Sequence, residues 1–230
     1  MNTRIKALFG VMLDMIAFRD DVTGGHLDRT CKYLELLIGR LFETDLYRDT
    51  LRQWDIELVI KSAALHDVGK IAISEELLQK PGKLTRGEFE IIKTHAALGV
   101  EILDRIDLPA GKRRLISHAR IIAGAHHEKW DGSGYPCGAY GNHIPLEGRL
   151  MAIADVYDAL ISNRPYKQAV SPGEAARVIE DGSGTHFDPQ LVEVFRDVAP
   201  LFASVASAYA GRHTDAYEVK ESYREGALAS

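Results

Sequence analysis

The chain predicts an all-α fold. Apolar residues recur three and four positions apart through most of its length, and the strict alternation of a half-buried strand is nearly absent. Gly and Pro punctuate the intervals between the periodic stretches. Residues 1–18 carry Ile5, Leu8, Phe9, Met12, Leu13, Met15 and Ile16 on an amphipathic pattern broken by Arg4, Lys6 and Asp14. That pattern reads as a helix packing on the rest of the domain or on a second copy in a homodimer. Helical periodicity then marks Leu27–Leu41, Leu58–Leu65, Gly87–Leu103, Arg113–Ala125, Leu150–Ile161, Pro172–Glu180 and Pro189–Phe202. The turns between them fall at Lys80-Pro81-Gly82, Leu108-Pro109-Ala110-Gly111, Asp131-Gly132-Ser133-Gly134-Tyr135-Pro136 and Asp181-Gly182-Ser183-Gly184. Ser171-Pro172-Gly173-Glu174 has the order of a helix start, with Ser as N-cap, Pro at the first helical position and Glu two residues further on. Asp188-Pro189 repeats the device. The last segment, 206–230, loses apolar periodicity after about Ala210 and is expected to be a fraying helix or tail.

The chain has 230 residues, 46% of them hydrophobic, which is enough for one domain with a substantial core, here taken as 19–205. A net charge of −5, with the 28 basic residues scattered, argues against a nucleic-acid polymer as partner. A small anionic ligand would still need only a local basic pocket. Cys31 and Cys137 are too few and too far apart for a disulfide framework or a Cys-based zinc site, which fits a reducing compartment. No stretch approaches the roughly 20 apolar residues that span a bilayer, and the N-terminus lacks a signal peptide's pattern. A cytoplasmic protein without membrane contact is the expectation.

Chemistry concentrates in HDVGK at 66–70, in a lone His95 and in HHEKWDGSGYP at 126–136. The apolar run Leu58, Val59, Ile60, Ala63, Ala64, Leu65 leads straight into His66-Asp67, so a carboxylate emerges where a buried helix ends. Such a carboxylate is expensive unless paired or metal-bound, and its two oxygens can bridge two cations. Lys70 lies one turn on, within reach of a phosphate held there; the competing reading makes His66 and Lys70 cations complementing a helix C-terminus. His126-His127 follows the apolar Ile121-Ile122-Ala123 and sits at or just beyond a helix end, where a break from regular helix lets both rings reach one ion. Asp155 and Asp158 lie one turn apart in the apolar Ala152–Leu160. Asp155 suits metal ligation. Asp158 either orients a ligand or a neighbouring basic group, with Arg164 or Lys167 the candidate, or is half of a buried salt bridge. His26, after Thr23-Gly24-Gly25, completes a set of five histidines and two aspartates suited to iron, manganese, cobalt, nickel or zinc.

In the order and spacing of these residues the chain resembles the HD-GYP domain family, a branch of the HD phosphohydrolases. The likeness runs from about Arg19 to Phe195 through RDDVTGGH at 19–26, HDVGK at 66–70, LQKPGKLTRGEFEIIKTHAALG at 78–99, HHEKWDGSGYP at 126–136, IPLEGRLMAIADVYDALISNRPYK at 144–167 and GTHFDP at 184–189. The resemblance implies an HD-type helical bundle and a metal-dependent phosphodiesterase that opens cyclic di-GMP to pGpG, with a slower step to GMP. It implies two divalent transition-metal ions, iron or manganese first. One would be held by His26, His66, Asp67 and Asp155, the other by Asp67, His95, His126 and His127. Such a pair, about 3.5–4 Å apart, activates water and clamps the phosphodiester oxygens. Asp67 and Lys70 then carry the chemistry, while Lys70, Asp158, Arg164 and Lys167 face the substrate. The Gly134-Tyr135-Pro136 loop shapes the pocket, receives signalling partners or simply stiffens a turn. Some family members place a Glu four residues before the position of His26, where it helps hold a third ion. This chain has Val22, so two ions are expected. The rival readings are another cyclic dinucleotide or nucleotide as substrate, or a slow-turnover cyclic-dinucleotide sensor or interaction module, which would be expected to have lost ligands.

Overall fold

A computed structural model describes residues 25–107, 113–163 and 168–210. The helix expected over 1–18, Val22, Arg164, Lys167 and the chain beyond 210 lie outside these described residues. The described chain is helical: α1 (His26–Phe42), α2 (Arg48–Leu51), α3 (Ile56–Ala63), α4 (Glu75–Leu78), α5 (Arg86–Asp104), α6 (Arg113–Ala125), α7 (Leu146–Ile161), α8 (Pro172–Asp181) and α9 (Pro189–Ala210), with short 3-10 turns at Val68–Ala72 and Gly141–His143. It contains no strand, only an isolated bridge between Ser183 and Phe187. No helix among the described residues is long and apolar enough to cross a membrane.

Every long helix read from periodicity within the described residues is present. The ends differ where chemistry other than periodicity sets them. Helix α7 starts at Leu146 because Pro145 is extended and supplies the carbonyl that Arg149 N–H bonds at 3.1 Å. Helix α9 runs on through Pro200 to Ala210. The one-turn helices α2 and α4 are too short to show a period. Ser171 and Glu174 form the expected capping box, and Thr85 with Glu88 forms a second one at the start of α5. Lys80 meets both Glu88 carboxylate oxygens at 2.7 Å, and with Thr85 it draws the Glu88 pKa down to about 2.

The main core lies where α1, α7, α8 and α9 meet, with Val59 and Ala63 of α3 packed into it. Its densest part is aromatic. Tyr33 of α1 stacks on Phe202 of α9 at 4.3 Å and meets Tyr157 of α7 edge-on at 5.3 Å, and Phe195 closes the group against Phe202 at 5.2 Å. A smaller apolar cluster holds Leu65 and Val68 against Leu103 of α5 and Ile116, Ala119 and Ala123 of α6. Leu65 and Val68 flank His66 and Asp67, so the polar motif is clamped on both sides by residues with no exposed surface.

Close approach there depends on glycine. A Cβ at Gly69 would lie 1.9 Å from the His95 carbonyl oxygen and 2.5 Å from Gly99 N, both backbone atoms that cannot step aside. Gly69→Ala should therefore cost about 3 kcal/mol, the upper end for overpacking, read as a lower denaturant midpoint. Gly39, exposed within α1 with nothing near its Cβ position, is the control. Gly39→Ala should raise stability by about 0.5–1 kcal/mol.

Candidate metal centre

The α3 helix ends at Ala63, and the chain turns through Ala64–Asp67 before the 3-10 segment, which aims His66 and Asp67 inward instead of along a helix axis. His26 comes from the first turn of α1, His95 from the middle of α5, His126 and His127 from the turn after α6, and Asp155 from α7. Asp67, 3% exposed, lies between two groups. Its Oδ1 is 3.2 Å from His95 Nε2 and 3.7 Å from His126 Nε2, while its Oδ2 is 3.1 Å from His66 Nε2. His26 Nε2 is 3.3 Å from His66 Nε2, and Asp155 Oδ1 stands 3.9 Å from both rings. Two donor clusters result, Asp67 with His95, His126 and His127, and Asp67 with His26 and His66, sharing only Asp67.

The tautomers follow from the hydrogen bonds on the far side of each ring. His66 Nδ1 donates to the Ala63 carbonyl at 2.8 Å, His95 Nδ1 to that of Ile92 at 2.7 Å, and His126 Nδ1 to those of Ile122 and Ala123 at 3.0 and 3.1 Å. His26 Nδ1 meets Asp158 Oδ2 at 2.8 Å. In its neutral form each of these rings turns an Nε2 lone pair toward the centre, the arrangement of metal-ligating imidazoles braced from behind. Asp67 Oδ1 is buried with no hydrogen-bond partner, and His95 Nε2 faces His126 Nε2 at 3.4 Å. Lone pairs converging in a buried space are unfavourable until a cation sits among them, so the donor set fits divalent metal ions.

The electrostatics divide the centre. Burial opposes charge on His66, but Asp67 and Asp155 outweigh it and lift the pKa to about 9. Burial pushes His126 down, and burial together with the neighbouring His126 and His95 rings pushes His127 well down. Asp67 is held well below the usual carboxylate range: burial works the other way, but Lys70 and His66 prevail. Lys70 Nζ is 2.7 Å from Asp67 Oδ2 and its side chain is 17% exposed, so it stands at the mouth of the site.

Asp158 belongs to the interior. At 1% exposure it takes two bonds from Arg29, Nε to Oδ1 at 2.6 Å and Nη2 to Oδ2 at 2.9 Å, besides the one with His26. Among the described residues its basic partner is Arg29, which sequence reasoning passed over because it lies 129 positions away. Of the residues expected to face a substrate, Lys70 is at the site and Asp158 behind it; Arg164 and Lys167 fall outside the described residues.

The loop after His127 folds back over the site. Glu128, 3% exposed, accepts Cys137 N–H at 2.7 Å and Ala139 N–H at 3.0 Å, and Tyr135 N–H bonds the His127 carbonyl at 3.1 Å. A Cβ at Gly134 would lie 2.4 Å from Lys129 N, which is why this turn needs glycine. The Tyr135 ring lies 4.7 Å from the His127 ring, tilted by 31°. The Tyr135 contact bears on pocket shaping and the Glu128 bonds on stiffening. Glu128 was missed as its anchor; the signal was an acid directly after two histidines and before a Gly-rich turn.

An all-helical bundle with histidines and aspartates converging on a buried centre is the design of a metal-dependent hydrolase of the HD type. Residues 11–191 match the HD domain family model. The chain belongs to that family, whose phosphohydrolases bind divalent metals, and the HDVGK and GYP motifs put it in the HD-GYP branch. It is 48% identical to a "Probable cyclic di-GMP phosphodiesterase" of Vibrio cholerae over 84% of this chain and 44% of that protein. It is 41% identical to a "3'3'-cGAMP-specific phosphodiesterase 2" of the same organism over 88% of this chain and 36% of that protein. The chain thus spans less than half the length of these curated relatives. Among solved structures, an HDG"Y"P protein of Bdellovibrio bacteriovorus superposes with a TM-score of 0.56 at 22% identity, covering 78% of this chain and 53% of that one, a likeness of fold.

Asp158 offers a test of the bracing. Asp158→Ala should weaken metal affinity about 10–100-fold, read by competition with a chromophoric chelator. Asp158→Asn, which keeps an acceptor for His26 Nδ1–H, should lose less. Equal losses would mean that the Arg29 ion pair, and not the orientation of His26, is what matters.

Proposed function

We propose that this chain is a metal-dependent phosphodiesterase that hydrolyses cyclic di-GMP to pGpG. The observation that carries the reading is the buried Asp67 carboxylate with one oxygen toward each of two histidine groups, and Lys70 beside it at the opening. His26, His66, Asp67 and Asp155 would hold one ion, and Asp67, His95, His126 and His127 would hold the other. Iron or manganese come first, with nickel, cobalt or zinc also suited to N/O donors. When bound, such a pair makes water nucleophilic near neutral pH and offsets the charge of the phosphodiester.

The chain's own groups do the remaining work. The Nδ1 bonds to helix carbonyls and to Asp158 hold the rings in place before substrate arrives, so no reorganisation is needed at the moment of reaction. Lys70, at the mouth of the centre, is placed to meet a phosphate oxygen and stabilise the charge that builds on it. Tyr135 covers His127 and limits water on that side. The free cysteines Cys31 and Cys137 suit a cytoplasmic setting. A second reading, a hybrid 3′,3′-linked cyclic dinucleotide as substrate, draws support from the relative named for that activity. Turnover of metal-loaded protein on cyclic di-GMP, the hybrid and cyclic di-AMP, compared by kcat/KM, separates the two; no turnover of any would favour a sensor.

Asp67→Ala should abolish hydrolysis and lower metal content. Lys70→Ala should keep the metal and lose on the order of 100-fold in kcat. A wild-type rate for Lys70→Ala would remove the role given to it.

Val22 leaves the third-ion carboxylate of some relatives without a counterpart, since an aliphatic side chain cannot ligate. The chain should accumulate pGpG before GMP in a chromatographic time course. GMP appearing without a pGpG phase, or three ions per chain by elemental analysis, would show that Asp20, Asp21 or another donor compensates.

A further inference from the structure

Beside the metal centre, on the surface of α5, lies a small group that the hydrolytic machinery does not use. Phe89 is 46% exposed. A single exposed apolar side chain is ordinary, but this one has company. Its ring meets the Tyr135 ring at 6.4 Å and 85°, and Lys93, one turn along the same face, carries its ammonium 5.5 Å from the Phe89 centroid and 5.7 Å from that of Tyr135. Lys93 also pairs with Glu90 at 2.7 Å, which steadies its position. Tyr135 in turn lies against His127, and His95, two residues past Lys93, points inward to Asp67. The aromatic ledge is therefore continuous with the edge of the metal centre.

A ledge of this make-up selects its occupant. A ring exposed to this extent offers stacking to a planar base, and every base has a π-face. A cation at its border adds preference for a base that presents acceptors. Guanine presents O6 and N7 together, whereas adenine puts an amino group beside N7. A purely apolar partner would gain nothing from Lys93, and a lone phosphate nothing from Phe89.

We propose that Phe89, Lys93 and Tyr135 form the subsite for one guanine base of the substrate, Phe89 stacking on the base and Lys93 meeting its O6 and N7. This rests on the cyclic-dinucleotide phosphodiesterase reading and adds to it the residues that recognise the base. Asp67 and its histidines act on the phosphodiester; the ledge holds what is attached to it.

The test uses the full metal-loaded chain, with KM and kcat measured on cyclic di-GMP and cyclic di-AMP. Metal content and the inhibition constant of inorganic phosphate serve as controls for the centre itself. Phe89→Ala should raise KM for cyclic di-GMP about 10-fold with both controls unchanged. Phe89→Trp should restore it and Phe89→Leu should not. Lys93→Gln should raise KM more for cyclic di-GMP than for cyclic di-AMP. A Phe89→Ala KM within twofold of wild type, equal rescue by Leu and Trp, or a Lys93→Gln effect equal on both substrates would overturn the subsite and leave the phosphodiesterase reading standing. Wild-type protein that loads metal but turns over neither cyclic dinucleotide would overturn both.

Discussion

Asp67 is a carboxylate in a protein interior, a placement that costs several kcal/mol unless the charge is met. The surrounding structure is organised to meet it. Lys70 and His66 face one oxygen, and the other is left to His95 and His126, whose Nε2 atoms have no proton to give once Nδ1 donates to a helix carbonyl. Satisfying that second oxygen takes a cation. The same bonds that set the tautomers also set ring orientation, so backbone carbonyls on α3, α5 and α6 determine where the donor atoms lie. The centre is thus part of the helix packing and not a decoration on it.

That dependence runs through a few backbone approaches that tolerate no side chain. Gly69 lets the turn carrying Asp67 lie against the backbone of α5 at His95, which brings Asp67 Oδ1 within 3.2 Å of His95 Nε2. Gly134 does the same for the loop that sets Tyr135 on His127. At Gly148 a Cβ would come 2.6 Å from the Ala125 Cβ, so α7 can press against the end of α6 just before His126. Three of the glycines in the sequence motifs are therefore packing requirements, each adjoining a functional side chain. The smaller apolar cluster, with Leu65 and Val68, supplies the pressure that keeps the first of these contacts closed.

Much of this was legible in the sequence because it is local. Long helices announce themselves by period, and His-Asp or His-His after an apolar run is visible without knowing what lies opposite. The parts that were not legible are pairings across the fold. Arg29 with Asp158 joins α1 to α7, and Arg149 with Asp188 at 2.6 Å, backed by the Tyr47 hydroxyl on the same carboxylate, joins α7 to the start of α9. Nothing in the spacing of Arg29 or Arg149 distinguishes a buried cation from a solvated one, and only topology decides. The anchoring of the loop by Glu128 was hidden for another reason: its partners are backbone N–H groups, which every sequence offers everywhere.

A net charge of −5 on a chain for which an anionic substrate is proposed presents a paradox only at the level of bulk composition. Field strength at the reaction centre depends on the groups within a few ångströms, since charges beyond a Debye length of about 8 Å are screened on the solvent side. Here two of the buried acids are paired with arginines. Asp158 is neutralised by Arg29, and Asp188 by Arg149. Asp67 and Asp155 offset only half of the charge that the two proposed divalent ions bring, the histidines are neutral as ligands, and Lys70 adds a cation at the mouth. With the proposed ions bound, the centre would be electropositive inside an acidic protein, while Lys93 at the Phe89 ledge is balanced by Glu90. The proposed ligand, a phosphodiester anion carrying a planar base, would use both the centre and the ledge, and the separation of local from global charge reconciles such a site with an acidic chain.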